Sequence, residues 1–329
     1  MTATTLVMNE LQIDGQLKSG DQVFPTIMVP ESAATSLEDV LAWVRENRDS
    51  LDAKASQTGA VMFRGLPLAT SDDFDAFIRA FDYPNFRYQD SLSNAVRVNR
   101  TERVFTANEA PSSVTICLHH EMAQTPIYPS RLFFFCEKPA DAGGASPLCR
   151  SDILFERLCE ELPQFARDCE EKGLLYTNVM PAENDPTSGM GRSWQSTFRA
   201  ETREAAEQKM RELEYSWEWL DDGCLKATTP RLQAVMELPD GRKTFFNQLI
   251  AAFHGWKDSR NDPAKSVTFG DGTPLNAQDV ERAAQIAEEL TFDVPWQAGD
   301  VALVDNYVAM HGRRSFEGTR AVLASLVAS

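Results

Sequence analysis

The run Leu118-His119-His120-Glu121-Met122 decides how the rest of this 329-residue chain is read. On a β-strand, side chains two positions apart share a face, so His119 and Glu121 converge on one point while His120 faces away. A third imidazole from a distant strand would complete a set of two histidines and one carboxylate. Such a set leaves three coordination positions open and suits iron(II) oxygen chemistry. The chain has four histidines, at 119, 120, 254 and 311. His311 is the candidate third ligand: it follows the apolar run Ala302-Leu303-Val304 and Asp305-Asn306, and it precedes Gly312-Arg313-Arg314. An HxE triplet alone arises by chance in many chains, so its weight depends on what surrounds it.

Working outward, Arg320 stands nine residues after His311 at the start of the apolar stretch Ala321 to Val327. There a guanidinium could pair with both oxygens of a carboxylate co-substrate. Upstream, Arg131 to Cys136 (RLFFFC) reads as a core strand, and Gly143-Gly144 marks a break in regular structure after it. Val23 to Val29 reads as a strand stopped by Pro30. A helix with a Thr35/Glu38 capping box and Leu37, Val40, Leu41 and Val44 at helical spacing comes next. Ala60 to Leu66 reads as a buried strand, and Thr70 and Ser71 cap a second helix carrying Phe74, Phe77, Ile78 and Phe81. Further helices are expected from Ser151, over Thr202 to Leu213 and over Ala277 to Leu290, with strands at Leu174 to Met180 and Val301 to Val304. Ala182 to Gly191 (AENDPTSGMG) is polar and loop-like, suited to a mobile cover over a pocket. Strands early and late with helices between them predict an α+β chain. Its β-sandwich halves are separated by a long insertion, about residues 150–290, and the whole of 1–329 forms one domain.

The bulk numbers bound the function. A net charge of -17, with acidic residues spread along the chain, would repel a polyanion over most of the surface. Nucleic acid and anionic membranes are therefore expected to be absent as partners. No stretch approaches the length of a membrane span and the first residues lack a signal peptide's basic start, so a cytoplasmic location is expected. The six cysteines have no zinc-type spacing and are read as free thiols, Cys117 being the one beside His119.

Taken together, these segments resemble the taurine dioxygenase and clavaminate synthase-like superfamily of iron(II)/2-oxoglutarate oxygenases. The resemblance rests on an ordered set: Phe63-Arg64-Gly65, the 118–122 block, Arg131 to Cys136 leading into Gly143-Gly144-Ala145-Ser146-Pro147, Gly191 to Gln195, Phe246-Asn247-Gln248, and Gly299-Asp300 through Asp305-Asn306 to His311-Gly312-Arg313. It implies a double-stranded β-helix, the jelly-roll or cupin-like core, with flanking helices. It also implies His119, Glu121 and His311 as metal ligands and Arg320 on the distal carboxylate of 2-oxoglutarate. Ser146, where relatives usually have threonine, keeps a hydroxyl for the co-substrate. Many relatives carry a second arginine shortly after the first, absent here, so Arg313 or Arg314 could share the role. Glu121 occupies the position that related halogenases leave to chloride, which implies an oxygenase outcome. O2 and 2-oxoglutarate would be consumed and succinate and CO2 released.

The expected substrate is an amino acid or similar small biosynthetic intermediate, free or tethered to a carrier protein, hydroxylated at an unactivated C–H bond. Trp194, His254 and Asn247 are candidate substrate contacts, each weighed against simple packing. The competing readings are desaturation or cyclisation with the same cofactors, a non-catalytic cupin-like binding module, and a scaffold with incidental histidines. Arg320 with Ser146 separates the enzyme from a plain binding module, which needs no 2-oxoglutarate clamp.

Overall fold

A computed structural model describes residues 6–328 except 33–35, 94, 96 and 108–109. Its centre is two facing sheets. The larger has seven strands in the order Met8–Leu11, Thr26–Pro30, Ala60–Phe63, Val301–Asp305, Arg131–Lys138, Ala321–Val327 and Phe105–Thr106. Every pairing in it is antiparallel except Thr26–Pro30 with Ala60–Phe63. The smaller sheet orders Thr291–Val294, Ser146–Arg150, Ala309–Arg313 and Ile116–His119, all antiparallel.

The side-chain period of two explains how this sandwich is filled. In Arg131–Lys138, Leu132, Phe134 and Cys136 point inward against Leu148, Phe292 and Ala309 of the smaller sheet. Phe133 and Phe135 point outward against the helices Leu37–Thr58 and Ser71–Ala80. Both faces of that strand are covered, which is why it reads as a continuous apolar run rather than an alternating one. The architecture is the α+β jelly-roll expected from the sequence.

The insertion leaves and returns through neighbouring strands, because Cys149 and Thr291 are direct partners in the smaller sheet. Between them lie the helices Ser151–Glu161, Pro163–Lys172, Leu249–Gly255 and Ala277–Glu289. A further four-stranded sheet is built on Leu174–Met180. Their apolar faces cover the outer side of the smaller sheet, where Leu118, Cys149 and Met310 point.

Some local expectations need correction. The stretch 23–29 is two strands, Gln22–Phe24 and Thr26–Pro30, interrupted at Pro25, which has no N–H to place in a ladder. Thr35 lies outside the described residues, and the first helix is capped by Ser36 with Asp39 in a reciprocal box. The strand from Ala60 ends at Phe63, and Arg64 turns its guanidinium onto both oxygens of Asp300, tying two motif segments together. No helix among the described residues is long and apolar enough to cross a membrane.

Candidate metal and co-substrate site

His119 and His311 are direct cross-strand partners. Directly opposed residues of an antiparallel pair project to the same face, so the register alone brings the imidazoles together, with ring centroids 4.4 Å apart. That face is the inner one: the Phe134 ring of the larger sheet lies 5.1 Å from the His311 ring.

Glu121 joins them by a different route from the one expected. The strand ends at His119, and Glu121 opens a turn in which Met122 has φ 60°. Strand alternation therefore does not aim the carboxylate. Asn306 does, because its Oδ1 accepts from the Glu121 N–H at 2.8 Å and its Nδ2 donates to the Glu121 carbonyl at 3.0 Å and the Pro129 carbonyl at 2.7 Å. Replacing Asn306 by alanine leaves three buried backbone groups without partners. At about 1 kcal/mol or more each, the expected loss is about 3 kcal/mol, read as a lower denaturation midpoint together with weaker metal binding. An unchanged midpoint would show that water replaces the amide at no cost.

One donor atom from each of His119, Glu121 and His311 lies within 4.8 Å of the others. The protonation states suit a metal. His119 Nδ1 lies 2.8 Å from the Cys117 carbonyl, which can only accept, so the proton sits on Nδ1 and Nε2 offers its lone pair. Burial, with His311 adding to it, pulls the His119 pKa down to about 4, so the ring is neutral at physiological pH. Burial pushes the Glu121 carboxyl up, but the charge of Arg97, with the hydrogen bond to His311 adding to it, outweighs burial and holds the group below the usual carboxylate range. His311 Nε2 stands 3.3 Å from Glu121 Oε2. Two imidazoles and one carboxylate, converging in a pocket, fit a divalent iron ion.

Two cavities meet at this cluster, sharing Arg97, Ile116 and His119 in their walls. The smaller, about 450 Å³, contains Ser146, His311, Arg313 and Arg320. Arg320 donates from Nε to the Gly144 carbonyl at 2.8 Å and from Nη2 to Ser146 Oγ at 3.1 Å. Gly144 suits its place: φ is 72°, and a Cβ there would come within 3.1 Å of Arg320 Cδ. Ser146 Oγ also accepts from Trp296 Nε1 at 3.0 Å, so its own proton is left to donate. Among the described residues no carboxylate pairs with Arg320. Burial, with Arg313 adding to it, pulls its pKa down to about 10, still charged at neutral pH. A largely desolvated cation with no carboxylate partner among the described residues suits an anionic ligand.

The two other arginines part company. Arg313 lines the same cavity but gives its Nη atoms to the carbonyls of Ala110, Pro111 and Val114. Arg314 pairs with Glu288 and Asp293, away from the cavity walls.

The larger cavity, about 830 Å³, is open to solvent and has Glu121 in its wall. None of the expected substrate contacts is in its wall. Trp194 is buried against Trp219, its ring 5.0 Å away, and donates to the Gly223 carbonyl. His254 sits on the helix Leu249–Gly255 with Nδ1 3.7 Å from Glu281. Asn247 spends its amide on the Ala234 carbonyl and the Leu249 N–H. His120 points away from the metal cluster, hydrogen-bonded to the Asn306 carbonyl and 2.9 Å from the Ser151 hydroxyl. The wall of the larger cavity includes Met190 of the expected cover loop and Gln248 of the Phe246-Asn247-Gln248 motif, together with Arg97, Gln124 and Lys257, which reading along the sequence did not single out.

Comparison with known proteins agrees with this geometry. Residues 25–326 match the profile of the taurine catabolism dioxygenase TauD, TfdA family. A clavaminate synthase-like protein of Arabidopsis thaliana is 40% identical over 327 residues, 98% of each chain. The dapdiamide synthesis protein DdaC of Enterobacter agglomerans is 28% identical over 293 residues, 84% of each. Among solved structures, PvcB, described as an Fe, alpha-ketoglutarate dependent oxygenase from an isonitrile synthetic pathway, superposes with a TM-score of 0.53 at 10% identity. That superposition covers 100% of this chain and 93% of that one.

Proposed function

This chain belongs to the TauD, TfdA family of dioxygenases, and on that premise we propose that it hydroxylates an unactivated C–H bond of an amino acid or related small biosynthetic intermediate. It is a 2-oxoglutarate-dependent dioxygenase that uses iron(II), 2-oxoglutarate and O2. His119, Glu121 and His311 would hold the iron, and Arg320 with Ser146 would hold the co-substrate. When bound, the iron and 2-oxoglutarate supply the oxidising power, and succinate and CO2 leave.

The single observation that carries the reading is the pair of cavities meeting at one metal-ligand cluster, with Arg320, which pairs with no described carboxylate, in the wall of the smaller. The larger cavity supports an amino-acid substrate. Arg97 and the exposed Lys257 stand in its wall, while the one carboxylate among its described wall residues, Glu121, belongs to the metal cluster. Gln124 Oε1 is buried without a partner among the described residues, an acceptor for an ammonium or amide N–H. The names of DdaC and PvcB, both tied to synthetic pathways, support a biosynthetic intermediate. Six unpaired cysteines suit a reducing cytoplasm. The test is incubation of the iron-loaded enzyme with a panel of amino acids, following succinate release and a gain of one oxygen by mass spectrometry. Succinate release that no amino acid stimulates would defeat the substrate class.

In this reading the insertion, about 150–290, builds the substrate wall and its cover. Ser188, Gly189 and Met190 of the loop 182–191 face the cavity opposite Trp256 and Lys257. Arg260 clasps the two segments, 2.9 Å from Asp185 and 2.7 Å from Asp258, and Ser188 also donates to Asp258 at 2.9 Å. We expect Arg260→Ala to speed hydrogen exchange over 182–191 in the substrate-free enzyme, and substrate to restore protection. Equal exchange in parent and variant would mark a permanently packed loop.

A further inference from the structure

Arg97 stands in the walls of both cavities and also hydrogen-bonds the carboxylate ligand. Its Nη2 donates to Glu121 Oε1 at 2.9 Å, and the two side chains are only 8% and 4% exposed. The guanidinium lies over the rings of Tyr88 and Phe105, at 4.7 and 5.3 Å from their centroids. Tyr88 is itself anchored through its hydroxyl to Ser93 and the Ala95 carbonyl, both at 2.7 Å. The arginine is thus held from behind while its front edge engages one carboxylate oxygen.

The other oxygen has a different neighbour: Glu121 Oε2 lies 3.3 Å from His311 Nε2, inside the ligand cluster. We infer that Arg97 is a positioning residue that confines Glu121 to metal ligation through Oε2 alone, an assignment that rests on the iron reading above. A buried, charge-assisted hydrogen bond on Oε1 competes directly with a second metal–oxygen contact from the same carboxylate. The consequence concerns the open positions. Three protein atoms and the two donor atoms of 2-oxoglutarate leave one position in an octahedral site, whereas a carboxylate bound through both oxygens would fill it.

The test uses the full-length protein loaded with Mn(II) and saturated with 2-oxoglutarate, where water-proton relaxation reports exchangeable water on the metal. The parent is expected to retain one coordinated water. Arg97→Met is expected to lose it, with relaxation falling to the level of a site with none, while Mn(II) stays bound. Arg97→Lys, which keeps a donor, is expected to retain it. Millimolar guanidinium added to Arg97→Ala is expected to bring it back. Circular dichroism verifies the fold, and Arg97→Gln, too short to reach Oε1, is measured the same way if the methionine variant does not fold. A Met or Gln variant that keeps its coordinated water overturns the assignment, whatever happens to its substrate affinity. So does loss of the Mn(II) itself, which would make Arg97 a requirement for assembly of the site. A parent that binds neither Mn(II) nor 2-oxoglutarate would overturn the iron reading and this inference together; a parent with the water and a Met variant with it overturns this inference alone.

Discussion

Replacing His311 by alanine is expected to abolish turnover and to weaken iron(II) binding by more than ~100-fold, the upper end of what residues merely supporting metal ligands cost. The expectation rests on register. His311 faces His119 across one pair of strands and Leu148 across the other, so no neighbouring side chain on those strands can take its place. His119→Ala and Glu121→Ala should match it, since each removes one of three protein ligands. His120→Ala should differ in kind: its ring holds the Asn306 carbonyl and neighbours Ser151, so the variant should lose stability while the remaining folded protein still binds iron. Iron titration monitored by the visible band of the 2-oxoglutarate complex separates the two. Equal iron affinity in His311→Ala and the parent would remove this histidine from the ligand set.

The convergence of His119 and Glu121 was legible along the chain, although by a route the structure does not take. Period-two alternation puts residues 119 and 121 on one face only while the strand continues, and it stops at His119. Asn306 restores the geometry from 185 positions away. Nothing local to the HxE run signals that contact. The larger sheet was legible where its strands are apolar runs, as in Ala60–Phe63, Val301–Asp305 and Ala321–Val327, and both faces of Arg131–Lys138 are filled by its own side chains.

The substrate wall was not legible, for a reason visible at Asn247-Gln248. Both residues are buried at the start of a helix, and one position decides which of them meets the cavity. Asn247 caps backbone groups, while Gln248 donates to the His120 carbonyl and lines the space. Sequence spacing cannot choose between neighbours where the chain passes from loop to helix. Arg97 was hidden differently. It begins a charged, polar run through Arg103 that has the composition of a solvated surface. Only the folded chain shows Tyr88 and Phe105 shielding it.

The co-substrate pocket carries the sharpest remaining test, because removing one residue should leave the empty protein's stability nearly unchanged and weaken the complex strongly. Arg320→Ala removes a partly buried cation that no described carboxylate neutralises, together with its hydrogen bonds to the Gly144 carbonyl and Ser146. Relief of the unpaired charge offsets those lost bonds, so the empty variant should unfold at nearly the parent's midpoint. With 2-oxoglutarate the account reverses. Truncating one partner of a buried charged pair costs about 2–5 kcal/mol, and at about 1.4 kcal/mol per tenfold the half-saturating concentration should rise on the order of 100-fold. Ser146→Ala removes one neutral donor worth about 1 kcal/mol, so its shift should stay near fivefold. Arg320→Lys should fall between, since an ammonium keeps the charge but not the paired donors. Titrating the visible band of the iron complex gives all three values. Saturation at the parent's concentration in Arg320→Ala would pass the carboxylate to Arg313, which lines the same cavity and would then have to release the carbonyls of Ala110, Pro111 and Val114 to bind it.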